Sequence, residues 1–191
     1  MDDGELYARG AATLVASWEA YARGAAGASL LRLPGVAAGV FPRGPERAVY
    51  NNALLERGLG DAAGGLALDA LEEAYAVAGV ARYAAWVHES EAPLRAALQE
   101  RGYALDTTTR AMGMALTDIR VARPAIEQAP PAWAAYLRFL AADGVPEGLL
   151  AAAARGCRTA SIQSTPMAER VYAAVGFRDL GRFLEYVPAD R

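Results

Sequence analysis

The chain has 191 residues, a formal net charge of −3, and one cysteine and one histidine. This length allows one or two domains with a buried core. All 19 basic residues are arginine, which excludes a lysine Schiff base, a P-loop lysine and a lysine general base. The lone Cys157 excludes an internal disulfide, and one cysteine with one histidine argues against a structural zinc site.

The weakly acidic net charge and the distribution of the arginines indicate which partners and which cellular location to expect for the protein. The arginines are scattered and form no basic stripe, so we expect no nucleic-acid partner. The start of the chain, MDDGELYARG, is acidic and lacks the basic region of a signal peptide. No apolar run approaches the roughly 20 residues that a membrane span requires. We therefore expect a cytoplasmic protein without a membrane partner.

Apolar periodicity predicts alternating helices and strands in the first part of the chain. Leu14, Trp18 and Tyr21 recur at helical spacing, and Ser90 is a candidate helix N-cap. In chain order, the predicted elements are a helix at 11–26, strands at 29–33, 36–41 and 48–55, a glycine-rich loop at 56–65, a helix at 66–77, a strand at 82–88, a helix from Ser90 to Arg101, and one long strand or two short ones at 103–116.

The remaining residues predict a linker and a second, shorter set of elements. Proline residues in a stretch poor in large apolar side chains are typical of a linker. Ser164-Thr165-Pro166 predicts a helix start, with a hydroxyl N-cap followed by proline at the first helical position. Beyond the linker, the predicted elements are helices at 133–140 and 149–155, a strand at 158–163, a helix from Ser164 to Val175 and a strand at 177–187.

Two passages share one order of elements. Residues 87–103 and 162–177 each contain a strand end, a hydroxyl N-cap, an alanine-rich helix and a glycine-aromatic pair that begins a strand. Arg95 and Arg170 occupy corresponding places in the two passages. The match predicts an internal duplication.

The second passage resembles a known family motif. Ala168, Tyr172, Gly176 and Phe177 have the spacing of the Asn-x-x-Ala-x-x-x-Tyr-x-x-x-Gly-Phe block found near the end of domains of the GCN5-related N-acetyltransferase (GNAT) superfamily. Thr165 stands at the position of the family's asparagine. The resemblance implies that the Tyr172 hydroxyl is a general acid that protonates the CoA thiolate. The alternative is an aromatic side chain that only packs next to Phe177.

The N-terminal residues resemble a second, more diverged copy of the same domain. Arg57-x-x-Gly60-x-Ala62 fits the acetyl-CoA loop that the family writes Arg/Gln-x-x-Gly-x-Gly/Ala. A pyrophosphate needs backbone N–H groups and benefits from the positive end of a helix dipole, and glycine permits its close approach. The copy departs from the family at Asp61, which adds a negative charge to the loop, and at Leu98, which replaces the tyrosine.

The fold implied by the resemblance is α+β, a mixed sheet flanked by helices as in GNAT domains. It implies a degenerate GNAT-like domain at residues 1–120, a linker at 121–131, and a partial domain at 132–191 made of the C-terminal strand, helix and strand. Between Leu150 and Ala151 the family pattern expects several strands, the acetyl-CoA loop and most of its helix. The chain thus resembles a tandem GNAT protein whose second domain lacks its middle.

The activity implied by the resemblance is transfer of acetyl from acetyl-CoA to a primary amine of a small molecule or peptide, without a metal. Tyr172 is then the catalytic acid. The residues assigned to binding acetyl-CoA are Arg57, Gly58, Gly60, Ala62, Ser164 and Thr165. Each assignment has a plainer alternative, because glycine-rich loops also join strands to helices, and hydroxyl residues also cap helices. The alternative functions are a catalytically inactive CoA-binding or protein-interaction module, and a defective gene product.

Three further expectations concern single residues and strand edges. His88 and Glu89 at a strand end suit a base for the substrate amine, or a solvated or satisfied surface histidine. Cys157 is expected to be a small buried apolar residue at the start of a strand. A truncated second copy leaves strand edges uncovered, so we expect a homodimer or low solubility.

Overall fold

The computed structural model describes residues 1–43, 50–120 and 152–189. Four of the predicted segments lie wholly or partly outside these residues: the linker at 121–131, the helices at 133–140 and 149–155, and the strand at 48–55. The predicted domain boundaries at residues 120 and 132 border or enter the same gap, and they stay predictions.

Helices and strands alternate along the described residues in the predicted order. The helices are α1 (Asp3–Arg23), α2 (Asp61–Val77), α3 (Ala92–Glu100) and α4 (Glu169–Val175). The strands are β1 (Ser29–Leu33), β2 (Val36–Val40), β3 (Asn52–Leu55), β4 (Ala84–His88), β5 (Tyr103–Ala115), β6 (Thr159–Ser164) and β7 (Arg178–Pro188). The stretch left open as one strand or two is therefore one strand, β5.

The seven strands form a single mixed sheet. Their hydrogen-bonded order is β1-β2-β3-β4-β7-β5-β6. The first two pairs, β1 with β2 and β2 with β3, are antiparallel. β3 and β4 are parallel, with Ala53 opposite Ala85, and β4 pairs antiparallel with β7. Parallel and antiparallel pairs together with helices make an α+β fold, which confirms the predicted class.

Two helices begin earlier than apolar periodicity predicts. α1 begins at Asp3 rather than residue 11, although Gly4 and Gly10 have low helix propensity. The Asp2 carboxylate accepts the Glu5 N–H at 2.7 Å, so an acidic side chain caps the helix start. α2 begins at Asp61 rather than residue 66, because its first turn carries small residues that leave no trace in a hydrophobic pattern.

The chain divides into two compact units, which we describe separately. The unit that contains the glycine-rich loop comprises Ala11–Arg110 and Gly181–Arg191 and is called the loop unit. The other comprises Met1–Gly10 and Ala111–Leu180 and is called the C-helix unit, because it contains α4. Both units therefore include segments from distant parts of the sequence.

The core of the loop unit lies where α2 and α3 cover one face of the sheet. Leu71 and Tyr75 of α2 and Leu98 of α3 are fully buried there. The Tyr75 ring stacks on Tyr83 with ring centroids 4.1 Å apart, and its hydroxyl donates to the Gly39 carbonyl at 3.0 Å. Leu98, which the predicted duplication places at the tyrosine position of the motif, is therefore a core side chain.

Aromatic packing covers the other face of the same unit. Trp18 of α1 meets Trp86 edge-on, with centroids 6.1 Å apart, and Trp86 also contacts Phe183 of β7. The Trp86 indole N–H donates to the Asn52 side-chain oxygen at 3.1 Å, which satisfies a buried polar group. Helices therefore pack on both faces of this part of the sheet, as predicted.

The C-helix unit has its own, smaller core. Met112 and Met114 of β5 pack there with Phe177, and Tyr172 and Val175 of α4 contact this cluster while remaining partly exposed. Val171, Ala173 and Ala174 of the same helix are exposed. Among the described residues, α4 therefore packs through the side that carries Tyr172 and Val175.

The two passages that suggested a duplication end their helices in the same way. α3 is followed by Gly102 at φ +85° and α4 by Gly176 at φ +116°, a backbone region that favours glycine. In each case a buried aromatic residue comes next, Tyr103 or Phe177. The local geometry of the repeat is therefore present, while the tandem origin of the chain stays a prediction.

Adjacent glycines on α2 provide a test of how closely α2 and α3 pack. A Cβ atom on Gly64 would lie 2.8 Å from Cδ2 of the buried Leu94, whereas a Cβ on Gly65 would meet nothing within 4 Å. We expect Gly65→Ala to raise the free energy of unfolding by about 0.5–1 kcal/mol, because alanine favours helix. Gly64→Ala should be less stable than Gly65→Ala by about 1–3 kcal/mol through overpacking. Urea unfolding measures both, and equal shifts would contradict the close packing.

Candidate functional site

The candidate phosphate-binding loop joins the carboxyl end of β3 to the start of α2. Gly58 has φ +76°, which permits the loop to turn back, and the Glu56 N–H ties its start to the Gly35 carbonyl at 2.9 Å. Gly60 is the N-cap residue of α2. Because glycine has no side chain, the N-cap position offers no acceptor to the N–H groups of the first helical turn.

The four loop residues assigned to acetyl-CoA lie together on the surface of the loop unit. Gly58 and Gly60 have open space where a Cβ would stand. Arg57 and Ala62 are exposed on either side of them. Asp61, the acid noted in the sequence, is the first residue of α2 and is also exposed. The loop thus offers accessible backbone next to one acidic side chain.

A cavity of about 350 Å³ lies beside the loop, between the start of α2 and the length of α3. Its lining includes Gly60 and Asp61 from the loop end, Gly65 from α2, and Pro93 and Ala97 from α3. Most of these residues are small, so the backbone of both helices comes close to the cavity. This cavity therefore adjoins the candidate phosphate-binding loop.

A carboxylate from the next strand end reaches the loop. The Gly58 N–H donates to Glu91 Oε2 at 2.9 Å, and Arg57 Nε lies 3.8 Å from Glu91 Oε1. Glu91 is the N-cap residue of α3 and lies three residues after the end of β4. Since β3 and β4 are parallel, their carboxyl ends meet at the same sheet edge, and this brings residue 91 to residue 58.

Sequence analysis did not single out Glu91, although a signal was present. Leu94, Leu98, Gly102 and Tyr103 follow Glu91 at intervals of 3, 7, 11 and 12 residues, which is the spacing of the motif that residues 165–177 resemble. Glu91 therefore stands where the family pattern has its asparagine. The exchange replaces a neutral amide with a carboxylate at a position that the structure brings to the loop.

Hydrogen bonds fix the Glu91 side chain, which is 14% exposed. The Ser90 hydroxyl donates to Glu91 Oε1 at 2.7 Å and lies 2.8 Å from His88 Nδ1. Burial opposes ionisation of Glu91, but the hydrogen bonds from Ser90 and Gly58 and the charges of Arg57 and His88 together hold its pKa below the usual range. Glu91 is therefore a carboxylate at neutral pH.

His88 and Glu89 have separate partners. His88 is buried, and its ring lies directly beneath the backbone of Gly181, at φ +93° in β7. Glu89 Oε1 accepts the Arg182 N–H at 3.0 Å, and the Arg182 guanidinium lies 3.6 Å from the other carboxylate oxygen. The alternative to a base is a solvated or satisfied surface histidine. His88 is satisfied, because its Nδ1 has hydrogen-bond contacts with Ser90, but it is buried rather than at the surface. These contacts favour a structural role for the pair over that of a base.

Tyr172 lies on α4 in the C-helix unit. Its ring packs edge-on against Phe177, with centroids 5.8 Å apart and planes at 68°, as the packing alternative required. Among the described residues, none forms a hydrogen bond with its hydroxyl. The side chain is half-buried. Packing is therefore observed, and the role of general acid stays a prediction.

The predicted N-cap of α4 is wrong. The helix begins at Glu169 with Ala168 at its N-cap, and Ser164 is the buried last residue of β6. The Ser164 hydroxyl donates to the Thr165 carbonyl at 2.9 Å rather than accepting a helix N–H. The Ala168 N–H closes a turn onto the same carbonyl, at 3.0 Å, so the chain turns once before the helix starts.

Cys157 is exposed, so the expectation of a buried cysteine is also wrong. Its N–H donates to the Ala152 carbonyl at 3.0 Å, which closes a turn at the surface. β6 begins only at Thr159, two residues later. The cysteine therefore belongs to the turn and not to the strand.

The predicted site residues divide between the two units. The loop unit contains Arg57, Gly58, Gly60 and Ala62, and the C-helix unit contains Ser164, Thr165 and Tyr172. The predicted site residues thus form two groups, one in each unit. Their shared role stays a prediction.

Residues 1–43, 50–120 and 152–189 contain neither a cluster of metal ligands nor a membrane-spanning helix. No group of three or more His, Cys, Asp or Glu side chains in these ranges is placed to hold a metal ion. No helix within them is both long enough and apolar enough to cross a bilayer.

Comparisons with known proteins show a likeness in structure. No protein-family model and no curated protein matches the sequence. A GCN5-related N-acetyltransferase from Kribbella flavida matches the structure with a TM-score of 0.65 at 11% identity, covering 94% of this chain and 96% of that one. A GCN5-related N-acetyltransferase from Sphaerobacter thermophilus has a TM-score of 0.45 at 13% identity, covering 82% and 79%. At such low identity the first match shows the fold: the chain has the fold of the GCN5-related N-acetyltransferases.

Proposed function

We propose that this chain is an N-acetyltransferase that transfers the acetyl group of acetyl-CoA to a primary amine of a small-molecule or peptide acceptor. The observation that carries the proposal is the loop between β3 and α2. Its open glycines lead into a helix whose N-cap, Gly60, leaves first-turn N–H groups without a side-chain acceptor. The fold shared with a GCN5-related N-acetyltransferase supports the same conclusion.

The loop backbone suits a pyrophosphate. Accessible N–H groups at the start of α2, together with the positive end of its dipole, attract anions. Glycine at positions 58 and 60 lets a phosphate approach the backbone closely. The cavity of about 350 Å³ between α2 and α3 adjoins this position. Two carboxylates oppose anion binding, those of Asp61 and Glu91.

The proposed role of Tyr172 concerns the leaving group. The acceptor nitrogen forms a bond to the thioester carbonyl carbon, the carbon–sulfur bond breaks, and the Tyr172 hydroxyl gives its proton to the sulfur. The nitrogen loses one proton to solvent water, and a proton from solvent restores the Tyr172 hydroxyl. Its hydroxyl has no hydrogen-bond partner among the described residues, so it is available for this role. We also propose that Ser164 and Thr165 contact acetyl-CoA. The protein is then cytoplasmic, and a homodimer covers its exposed strand edges.

A second candidate is a catalytically inactive CoA-binding or protein-interaction module. Two observations favour it: Leu98 is fully buried where the family has tyrosine, and the Gly58 N–H already has a carboxylate acceptor. The two candidates differ in turnover. Both the enzyme and an inactive CoA-binding module bind acetyl-CoA, whereas a protein-interaction module does not.

We expect acetyl-CoA to stabilise the chain through the loop. At 100 times its dissociation constant the ligand should add about 2.7 kcal/mol to the free energy of unfolding, seen as a rise in melting temperature. Gly60→Asp should leave the free chain at least as stable, because aspartate is a good N-cap. The added charge should weaken acetyl-CoA binding at least about tenfold, or about 1.4 kcal/mol.

Gly60→Asn is the matched control, since it supplies a similar cap without the charge. It should bind acetyl-CoA more tightly than Gly60→Asp. Absence of any shift for the unaltered chain, or equal binding by the two variants, would contradict a pyrophosphate at this helix start.

Removal of the Tyr172 hydroxyl tests its role as the general acid. Tyr172→Phe should retain acetyl-CoA binding and lower turnover about 10²–10⁴-fold, because only the proton donor is removed. Turnover is measured as release of CoA thiol with the primary amine that the unaltered chain acetylates fastest. Tyr21→Phe removes an exposed hydroxyl on α1 and should change neither quantity. Unchanged turnover in Tyr172→Phe would remove Tyr172 as the acid.

A further inference from the structure

The loop already binds an anion that belongs to the chain. Glu91 Oε2 accepts the Gly58 N–H at 2.9 Å, and Glu91 Oε1 lies 3.8 Å from Arg57 Nε. Backbone N–H groups and a guanidinium are the donors that bind phosphates in glycine-rich loops. A carboxylate resembles one face of a phosphate group as a hydrogen-bond acceptor, because it presents two negatively charged oxygens.

The carboxylate is held firmly in this position. Ser90 donates to Glu91 Oε1 at 2.7 Å, and the Arg57 guanidinium lies 3.5 Å from the Ser90 hydroxyl. The charged or titratable groups that face Glu91 are Arg57 from the loop and His88 from the end of β4. Only 14% of the side chain is exposed. Charge-assisted hydrogen bonds of this kind are shorter and stronger than neutral ones, so displacing the side chain has a cost.

We propose that Glu91 is an internal competitor for the anion position of the loop and thereby sets the affinity of this chain for acetyl-CoA. A pyrophosphate that uses the Gly58 N–H must first displace the carboxylate, or must bind beside it against like charge. The apparent dissociation constant is then larger than the intrinsic one by the inverse of the fraction of molecules with a free loop. The inference rests on the proposed function, because acetyl-CoA is the ligand that would meet Glu91.

Calorimetric titration of acetyl-CoA into Glu91→Gln and the unaltered chain tests the inference. Glutamine keeps the shape and removes the charge, so the variant should bind acetyl-CoA at least about tenfold more tightly. Glu73→Gln is the matched control, because Glu73 is an exposed carboxylate on α2 and its loss makes the same change in net charge. It should bind as the unaltered chain does. Equal or weaker binding by Glu91→Gln would overturn the inference and leave the proposed function standing.

A measurement on the unaltered chain tests the contact without any variant. The Gly58 amide resonance should move as pH falls, with a midpoint below the usual carboxyl range, because the pKa of Glu91 is lowered and the contact is lost as Glu91 is protonated. An amide that does not report such a titration would overturn the inference.

Thermal unfolding of Glu91→Gln and Glu73→Gln, compared with that of the unaltered chain, checks that both variants are folded.

Inorganic pyrophosphate separates the inference from the proposed function. It should move the Gly58 amide more strongly in Glu91→Gln than in the unaltered chain. If pyrophosphate does so while acetyl-CoA binds neither protein, the competitor role of Glu91 holds and the proposed function fails. If neither ligand binds Glu91→Gln, the loop is not an anion site and the inference is overturned.

Discussion

β3 and β4 run parallel and end at the same edge of the sheet, and the chemistry of the loop unit depends on that pairing. The chain leaves β3 through Gly58 and Gly60 and leaves β4 through Ser90 and Glu91. Both exits lead into helices packed closely enough that a single added carbon on Gly64 would meet Leu94. A site built on two strand ends and two helix starts is held by the core beneath it.

The loop combines features that favour an anion with features that oppose one. Its open glycines and the start of α2 favour a phosphate, and the carboxylates of Asp61 and Glu91 oppose it. An exposed acid such as Asp61 is screened by solvent and has a modest effect. Glu91 matters more, because it is mostly buried and directly bonded to a loop N–H. The balance between backbone and Glu91 therefore decides what this chain binds and how tightly.

Sequence reasoning succeeded where the signals are local. The loop, the alternation of helices and strands, and the glycine that ends each of α3 and α4 follow from turn residues and periodicity over a few positions. Sequence reasoning failed where a contact between residues distant in the sequence, or a competing local hydrogen bond, determines the structure. Gly58 and Glu91 are separated by 33 residues and meet only through strand pairing. The Ser164 cap did not form, because a backbone turn from Thr165 to Ala168 precedes the helix, and Cys157 is exposed because it closes a turn.

The central claim is that acetyl-CoA binds at the start of α2. The most direct measurement is the change in backbone amide resonances when acetyl-CoA is added to the isotopically labelled chain. Within α2 and its preceding loop, we expect the largest changes at residues 58–63, and we expect them to saturate with a single dissociation constant. Saturable binding that leaves the amides of residues 58–63 unmoved would contradict it, as would the absence of any binding.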